Sequence, residues 1–132
     1  MYVPRHFQQD DLSTLHDLIR TYSFGMLVTV GPEGPFVSHI PFLLDAGTGA
    51  GEYGTLHGHL ARPNPQWRDF EAGAELLVVF QGPHGYISPT WYERRSANVP
   101  TWNYAAVVIG VERRVEGDAH RVRARWLRCS QR

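Results

Sequence analysis

The stretch "GMLVTVGPEGPFVSHIPFLL", residues 25–44, decides the fold. Two apolar runs rich in β-branched and aromatic residues flank "GPEGP", a turn signal with glycine and proline on both sides of one charged residue. That pattern predicts a β-hairpin. Before it, "DLSTLHDLIRTY" spaces Leu12, Leu15, Leu18, Ile19 and Tyr22 on one helical face, with Asp10 or Asp11 as the N-cap. After it, a glycine-rich loop from Asp45 to Gly54 leads into "YGTLHGHLA", which alternates as a strand.

The next segment, "NPQWRDFEAGA" (64–74), reads as a short helix with Asn64 as N-cap and Pro65 at its first position, stopping near Gly73. "AELLVVFQG" is a strand whose near-continuous apolar run suggests burial on both faces. "HGYISPTWY" reads as another strand, "ERRSANVP" as a polar connection, and "TWNYAAVVIGVERRV" as a long final strand. Six strands joined by short connections imply a mainly antiparallel sheet. A sheet of that size with one polar face closes on itself or packs on a partner, so the expected fold is a small β-barrel with short helices at its edges.

At 132 residues, 42% of them hydrophobic, the chain fits one domain with a real core. The one cysteine, Cys129, excludes an intrachain disulfide and a cysteine-based zinc site. No apolar stretch approaches a membrane span and no leader pattern opens the sequence, so a cytoplasmic protein with no membrane partner is expected. The net charge of zero is unevenly spread. All 13 basic residues are arginines. Seven of them, against Glu116 and Asp118, give residues 113–132 a balance of +5, and residues 1–112 carry −5. Such a basic end is either a solvated tail or an anion-binding one, nucleic acid included.

Chemistry concentrates in "LHGHLARPNPQW", residues 56–67. In a strand His57 and His59 share a face, with Gly58 opposite, and could ligate a metal or haem iron. The strand-to-helix turn offers a different reading. Arg62 precedes a helix start, where N–H groups and the dipole favour a phosphate, and His59 adds a donor. The residues alone leave both open. A second concentration is aromatic: Tyr86, Trp91, Tyr92, Trp102 and Tyr104, interleaved with Gln81, Ser88, Thr101 and Asn103. It suits a flat heterocyclic ligand, or a barrel core and dimer interface. No nucleophile motif, phosphate loop or dinucleotide fingerprint occurs.

"MYVPRHF", "SHIPFLL" (38–44), "TLHGHLARPNPQW" (55–67), "VFQGPHGYISPTWY" (79–92) and "VPTWNYAAV" (99–107) together resemble the PaiB family, FMN-binding negative transcriptional regulators related to flavin split-barrel proteins. The resemblance runs from residue 1 to about residue 110. It implies a split β-barrel, FMN as cofactor and a homodimer with the flavin in a groove shared by both subunits. By that likeness His59 and Arg62 would hold the phosphate, with Asn64 setting the helix start. Ser38, His39 and Ile40 would run beside the ring, and Trp102, Asn103 and Tyr104 would close the groove, from the partner chain in one arrangement.

The chain is shorter than the family pattern, and "RVEGDAHRVRARWLRCSQR" does not match its helical end, so a C-terminally shortened member is expected. The division expected is a split-barrel FMN-binding domain over 1–112 and a basic, divergent tail over 113–132. As function the resemblance implies a repressor; DNA is a possible partner, but no helix-turn-helix is visible and the body is acidic. A flavin-dependent reductase or oxidase is the alternative, with His39, His84 or Tyr104 as proton donors. A haem or metal protein built on His57 and His59 is the third.

Overall fold

In a computed structural model the backbone is described for residues 2–48, 50–116 and 119–131, and side chains as far as Val111. Helix α1 (Leu12–Thr21) precedes the hairpin of β1 (Phe24–Gly31) and β2 (Gly34–Asp45). After the glycine-rich loop come β3 (Thr55–Gly58), α2 (Trp67–Glu71) and β4 (Leu76–Ile87). Short 3-10 turns at Pro89–Trp91 and Arg95–Ala97 lead to β5 (Thr101–Glu116), and β6 (Ala119–Gln131) follows. Every pairing is antiparallel. Strands β3-β2-β1-β4-β5 form one continuous sheet, and β6 pairs with both outer strands to give a closed barrel in the order β1-β2-β3-β6-β5-β4. This is the expected mainly β, split-barrel class.

Three features differ from the sequence reading. "AELLVVFQG" and "HGYIS" are one strand, not two. Gly82 and Pro83 form a bulge between the pairs Gln81↔Ala106 and His84↔Tyr104, so proline loses a ladder bond without ending the strand. The apolar run on β4 is not buried on both faces: Leu76, Val78 and Phe80 are buried, whereas Leu77 and Val79 are half-buried. The arginine-rich stretch 113–132 supplies the end of β5 and the whole of β6. Its side chains, Cys129 included, lie outside the described residues.

The hairpin turn takes only Pro32 and Glu33, because Gly31 and Gly34 are already paired. Gly34 has φ +108, a conformation that costs little only without a Cβ. Inward residues of β1, β2 and β4 then meet in the barrel: Leu27, Phe42, Leu44, Val78 and Phe80. Phe42 packs edge-on against Phe80, with centroids 5.5 Å apart. Its ring is flanked by two glycines. A Cβ on Gly58 would stand 2.9 Å from Phe42 Cε1, and one on Gly25 3.1 Å from Cδ2.

The helices cover opposite ends of the barrel. Leu15 and Ile19 of α1 enter the core, and Leu18 lies where a Cβ on Gly82 would come within 3.3 Å. α2 packs against β1 at the hairpin end, with Phe70 buried. α1 has the expected cap: Asp11 Oδ2 accepts from the Thr14 N–H at 2.8 Å and from Thr14 Oγ1 at 2.6 Å.

Two outcomes test this account. Gly58→Ala should lower the unfolding free energy by about 1–3 kcal/mol, through overpacking against Phe42. Gly85→Ala, facing open space, should change it by less than about 0.5 kcal/mol in the same urea titration. The Asp11 carboxyl is held below its ordinary pKa, first by the Thr14 hydroxyl and then by the Thr14 N–H. The cap's stabilisation is therefore complete above the unfolded value of 3.8 and is lost as pH falls through the lower folded value. Asp11→Asn keeps a capping oxygen and should remove that part of the acid dependence, read by unfolding across the acid range.

Candidate functional site

The segment between β3 and α2 is held at both ends and exposed in its middle. Leu60 and Trp67 pack against the core. Between them Ala61 O accepts from Asn64 N at 2.8 Å, closing a turn with Arg62 and Pro63 at its tip. Strand β3 ends at Gly58, so His57 and His59 are not an in-strand pair sharing a face, as the alternation suggested. His57 is the outward partner of Leu43 on β2, and His59 is exposed beyond the strand. Among the described residues no group of three or more His, Cys, Asp or Glu is close enough to hold a metal ion.

Helix α2 begins at Trp67, later than "NP" predicted. Asn64 still does a cap's work one turn earlier: its Oδ1 accepts from Gln66 N at 3.0 Å. Its Nδ2 donates to Ser38 Oγ on β2 at 2.8 Å, so two predicted site residues touch directly. The N–H groups of Arg68 and Asp69 are taken by Pro65 O and Gln66 O. An anion here would therefore depend on Arg62 and His59 more than on free helix N–H groups. Both side chains are exposed and have no hydrogen-bond or ion-pair partner among the described residues.

Sequence reasoning missed the residue that fixes this segment. Gln66 is fully buried, and its Nε2 lies 3.1 Å from Leu27 O, 3.2 Å from Phe36 O and 3.3 Å from Thr29 Oγ1. Two carbonyl acceptors decide which way the amide points, since its oxygen would repel both. The oxygen, Oε1, is left without a partner in the structure. Thr29, also fully buried, donates in turn to Asp69 Oδ2 at 2.5 Å. The available signal was a glutamine one residue before the apolar face of a short helix, a pattern too common to single out.

The remaining predicted residues lie elsewhere. His39 is exposed on the outer face of β2 and stacks on Phe24, with centroids 6.1 Å apart, while half-buried Ile40 packs against the core. Trp102, Asn103 and Tyr104 begin β5 beyond the α1 end of the barrel. Trp102 stacks on His84 and donates Nε1–H to His84 Nδ1 at 3.3 Å. Asn103 and Tyr104 line a cleft of about 710 Å³ with the N-terminal segment around Phe7. A single chain does not bring the two groups together. Ser38 is level with Val78 through Leu27, whereas Asn103 is level with Gly85. Seven residues of strand separate them, about 23 Å.

The family model described as "Putative FMN-binding domain" matches residues 1–132. Protease synthase and sporulation protein PAI 2 of Bacillus subtilis is 42% identical over 107 residues, which cover 81% of this chain and 49% of that protein. An uncharacterized protein of Emericella nidulans is 38% identical, over 80% of this chain and 53% of its own length. One from Saccharomyces cerevisiae is 34% identical, over 89% and 81%. The chain spans about half the length of the first two of these curated relatives.

The buried network makes its own prediction. Thr29→Val keeps the volume and removes the hydroxyl shared by Asp69 and Gln66, and should cost about 1–3 kcal/mol in stability. Gln66→Leu, which removes the amide donor facing Leu27 O, Phe36 O and Thr29 Oγ1, should cost more than Thr29→Val in the same urea titration. Equal or smaller loss in Gln66→Leu would mean that the amide does not fasten the segment.

Proposed function

This chain belongs to the FMN-binding domain family whose model spans it, and we propose that it is a PaiB-type regulatory flavoprotein that acts as a homodimer with FMN between the subunits. FMN is the cofactor of the domain. What carries the dimer is the separation of the two groups of candidate residues, together with the surface between them. On the outer face of the β1–β2 hairpin and its continuation, Phe24 is 65%, Val30 60%, Val37 46% and Leu43 70% exposed. A contiguous apolar face of this kind calls for a cover. A second protomer laid on it would bring its own residues 102–104 toward the first protomer's Ser38–Asn64 region.

The residues present suit FMN. Arg62 and His59 offer unpartnered donors for the phosphate at an exposed turn, and Ser38 and Asn64 hold the base of that turn against β2. His39 and Ile40 present an imidazole and backbone groups alongside the ring, and Trp102, Asn103 and Tyr104 close the groove from the partner. Bound FMN supplies electron- and hydride-transfer chemistry, and these residues bind it, orient it and exclude water. In this reading residues 1–112 carry the cofactor, and the arginine-rich stretch 113–132, whose backbone completes the ring of strands, is where an anionic partner such as DNA would bind. No helix among the described residues is long and apolar enough to cross a membrane. The cleft beside Asn103 and Tyr104 supports one second reading, a flavin-dependent oxidoreductase, which NAD(P)H turnover by the FMN-loaded protein separates from the first.

Arg62→Ala should raise the dissociation constant for FMN roughly 10–100-fold with the dimer intact, the loss expected for one charged hydrogen-bonded contact. Leu43→Arg, on the outer face, should give a monomer by light scattering and lose FMN together with dimerisation. A Leu43→Arg variant that stays dimeric and flavin-loaded sinks the shared-groove arrangement.

A further inference from the structure

The cleft of about 710 Å³ at the α1 end is large enough for a small organic molecule, and it lies away from the residues proposed to hold the phosphate. Its lining contains no carboxylate and no guanidinium. Phe7 and Ile87 supply apolar surface. Gln8 spends Nε2 on Asp10 Oδ1 at 2.8 Å, and unspent donors remain on Gln9 and His84. Gln9 spends its Oε1 on the Asp11 N–H at 2.9 Å, which leaves its amide hydrogens. Because His84 Nδ1 accepts from Trp102 Nε1–H, the neutral imidazole carries its proton on Nε2. The side chains of Asn103 and Tyr104 have no hydrogen-bond partner among the described residues.

Aromatic surface stands on two sides of this cleft: the tilted His6–Phe7 pair, with centroids 3.9 Å apart, and His84 stacked on Trp102 at 5.8 Å. The bulge at Gly82–Pro83 interrupts the ladder where the cleft opens, a position where such irregularities re-aim side chains. Flat walls, several unspent donors and no formal charge select a flat, uncharged molecule with acceptor oxygens on its ring.

We infer that this cleft is a second ligand site, for a planar carbonyl-bearing ring of the quinone class, held between the N-terminal segment and the β4–β5 arm by His84 Nε2–H and the Gln9 amide. It deepens the flavoprotein reading, since it places a second ring beside the segment proposed to close the flavin groove, yet its binding does not require FMN to be present.

The test is equilibrium binding of 1,4-naphthoquinone, followed by quenching of tryptophan fluorescence, with the full chain both free of FMN and loaded with it. Saturable binding in both forms is expected. It should weaken roughly five- to tenfold in His84→Phe, which keeps an aromatic ring and removes the donor. Gln9→Glu, which keeps the acceptor for Asp11 N–H and removes the amide hydrogens, should weaken it similarly. Both positions are at the surface or half-buried, and unchanged urea unfolding of each variant establishes that it folds.

Displacement of the quinone by FMN would assign the cleft to the flavin ring and overturn the inference. So would preference for 2-naphthoate over the quinone, or binding indifferent to both substitutions. A protein that binds the quinone but never FMN would support this site while rejecting the flavin groove, so the two readings fail separately.

Discussion

The ring of Phe42 sets much of the structure around it. It stands on β2 between glycines of both neighbouring strands, Gly25 on β1 and Gly58 on β3, and meets Phe80 of β4 edge-on. A barrel this small has little room at its centre for a phenyl ring and flanking Cβ atoms together. Placing the ring therefore fixes β2 against β1 and β3 at the same point. A slip of one residue on either side would set a side chain where a glycine must be, and would turn every outward residue inward. The outward identities of Leu43, His57 and Phe24 follow from that register. Gly58, which in the sequence only separates two histidines, is there for the core.

The second constraint is polar. A segment that leaves a barrel strand and returns as a five-residue helix has little of its own to hold it. The buried Gln66 amide supplies the tie, bonding to backbone carbonyls of both hairpin strands, and Thr29 and Asp69 extend it along α2. Full burial makes such bonds consequential, because each group would otherwise have been desolvated without a partner. The orphaned Gln66 Oε1 is the cost of that geometry: satisfying the two carbonyls turns the oxygen away from any donor. The result is a turn whose tip, Arg62, is exposed while its base is fixed through Asn64 to Ser38.

Much of this was legible because it is local. The α1 face, its Asp11 cap and the hairpin around Gly31 and Gly34 are written in spacing and turn chemistry. Nonlocal features were harder to see. Gly82–Pro83 carries the same signal in a bulge as in a turn, and only the partner strand's register, Ala106 then Tyr104, distinguishes them. His57 and His59 suggested a shared face because alternation assumes that the strand continues, and β3 stops at Gly58. Gln66 was invisible, since nothing local marks a glutamine that will be buried against a strand distant in sequence. The residues that the family resemblance marks for the cofactor include one true contact pair, Ser38 and Asn64, and a second group at the far end of the barrel.

That division bears on how such a domain can be regulated. In the proposed arrangement, with each half of a cofactor groove on a different subunit, neither FMN binding nor association would be complete alone, and each would strengthen the other by mass action. In the proposed dimer the apolar outer face around Leu43 would favour association at any flavin concentration, whereas a charged contact at Arg62 would make the final affinity depend on the cofactor's phosphate. A groove enclosed within one barrel would bind flavin independently of protein concentration. A shared one would tie cofactor occupancy to assembly, so that the dimeric, flavin-loaded state would be a single cooperative species.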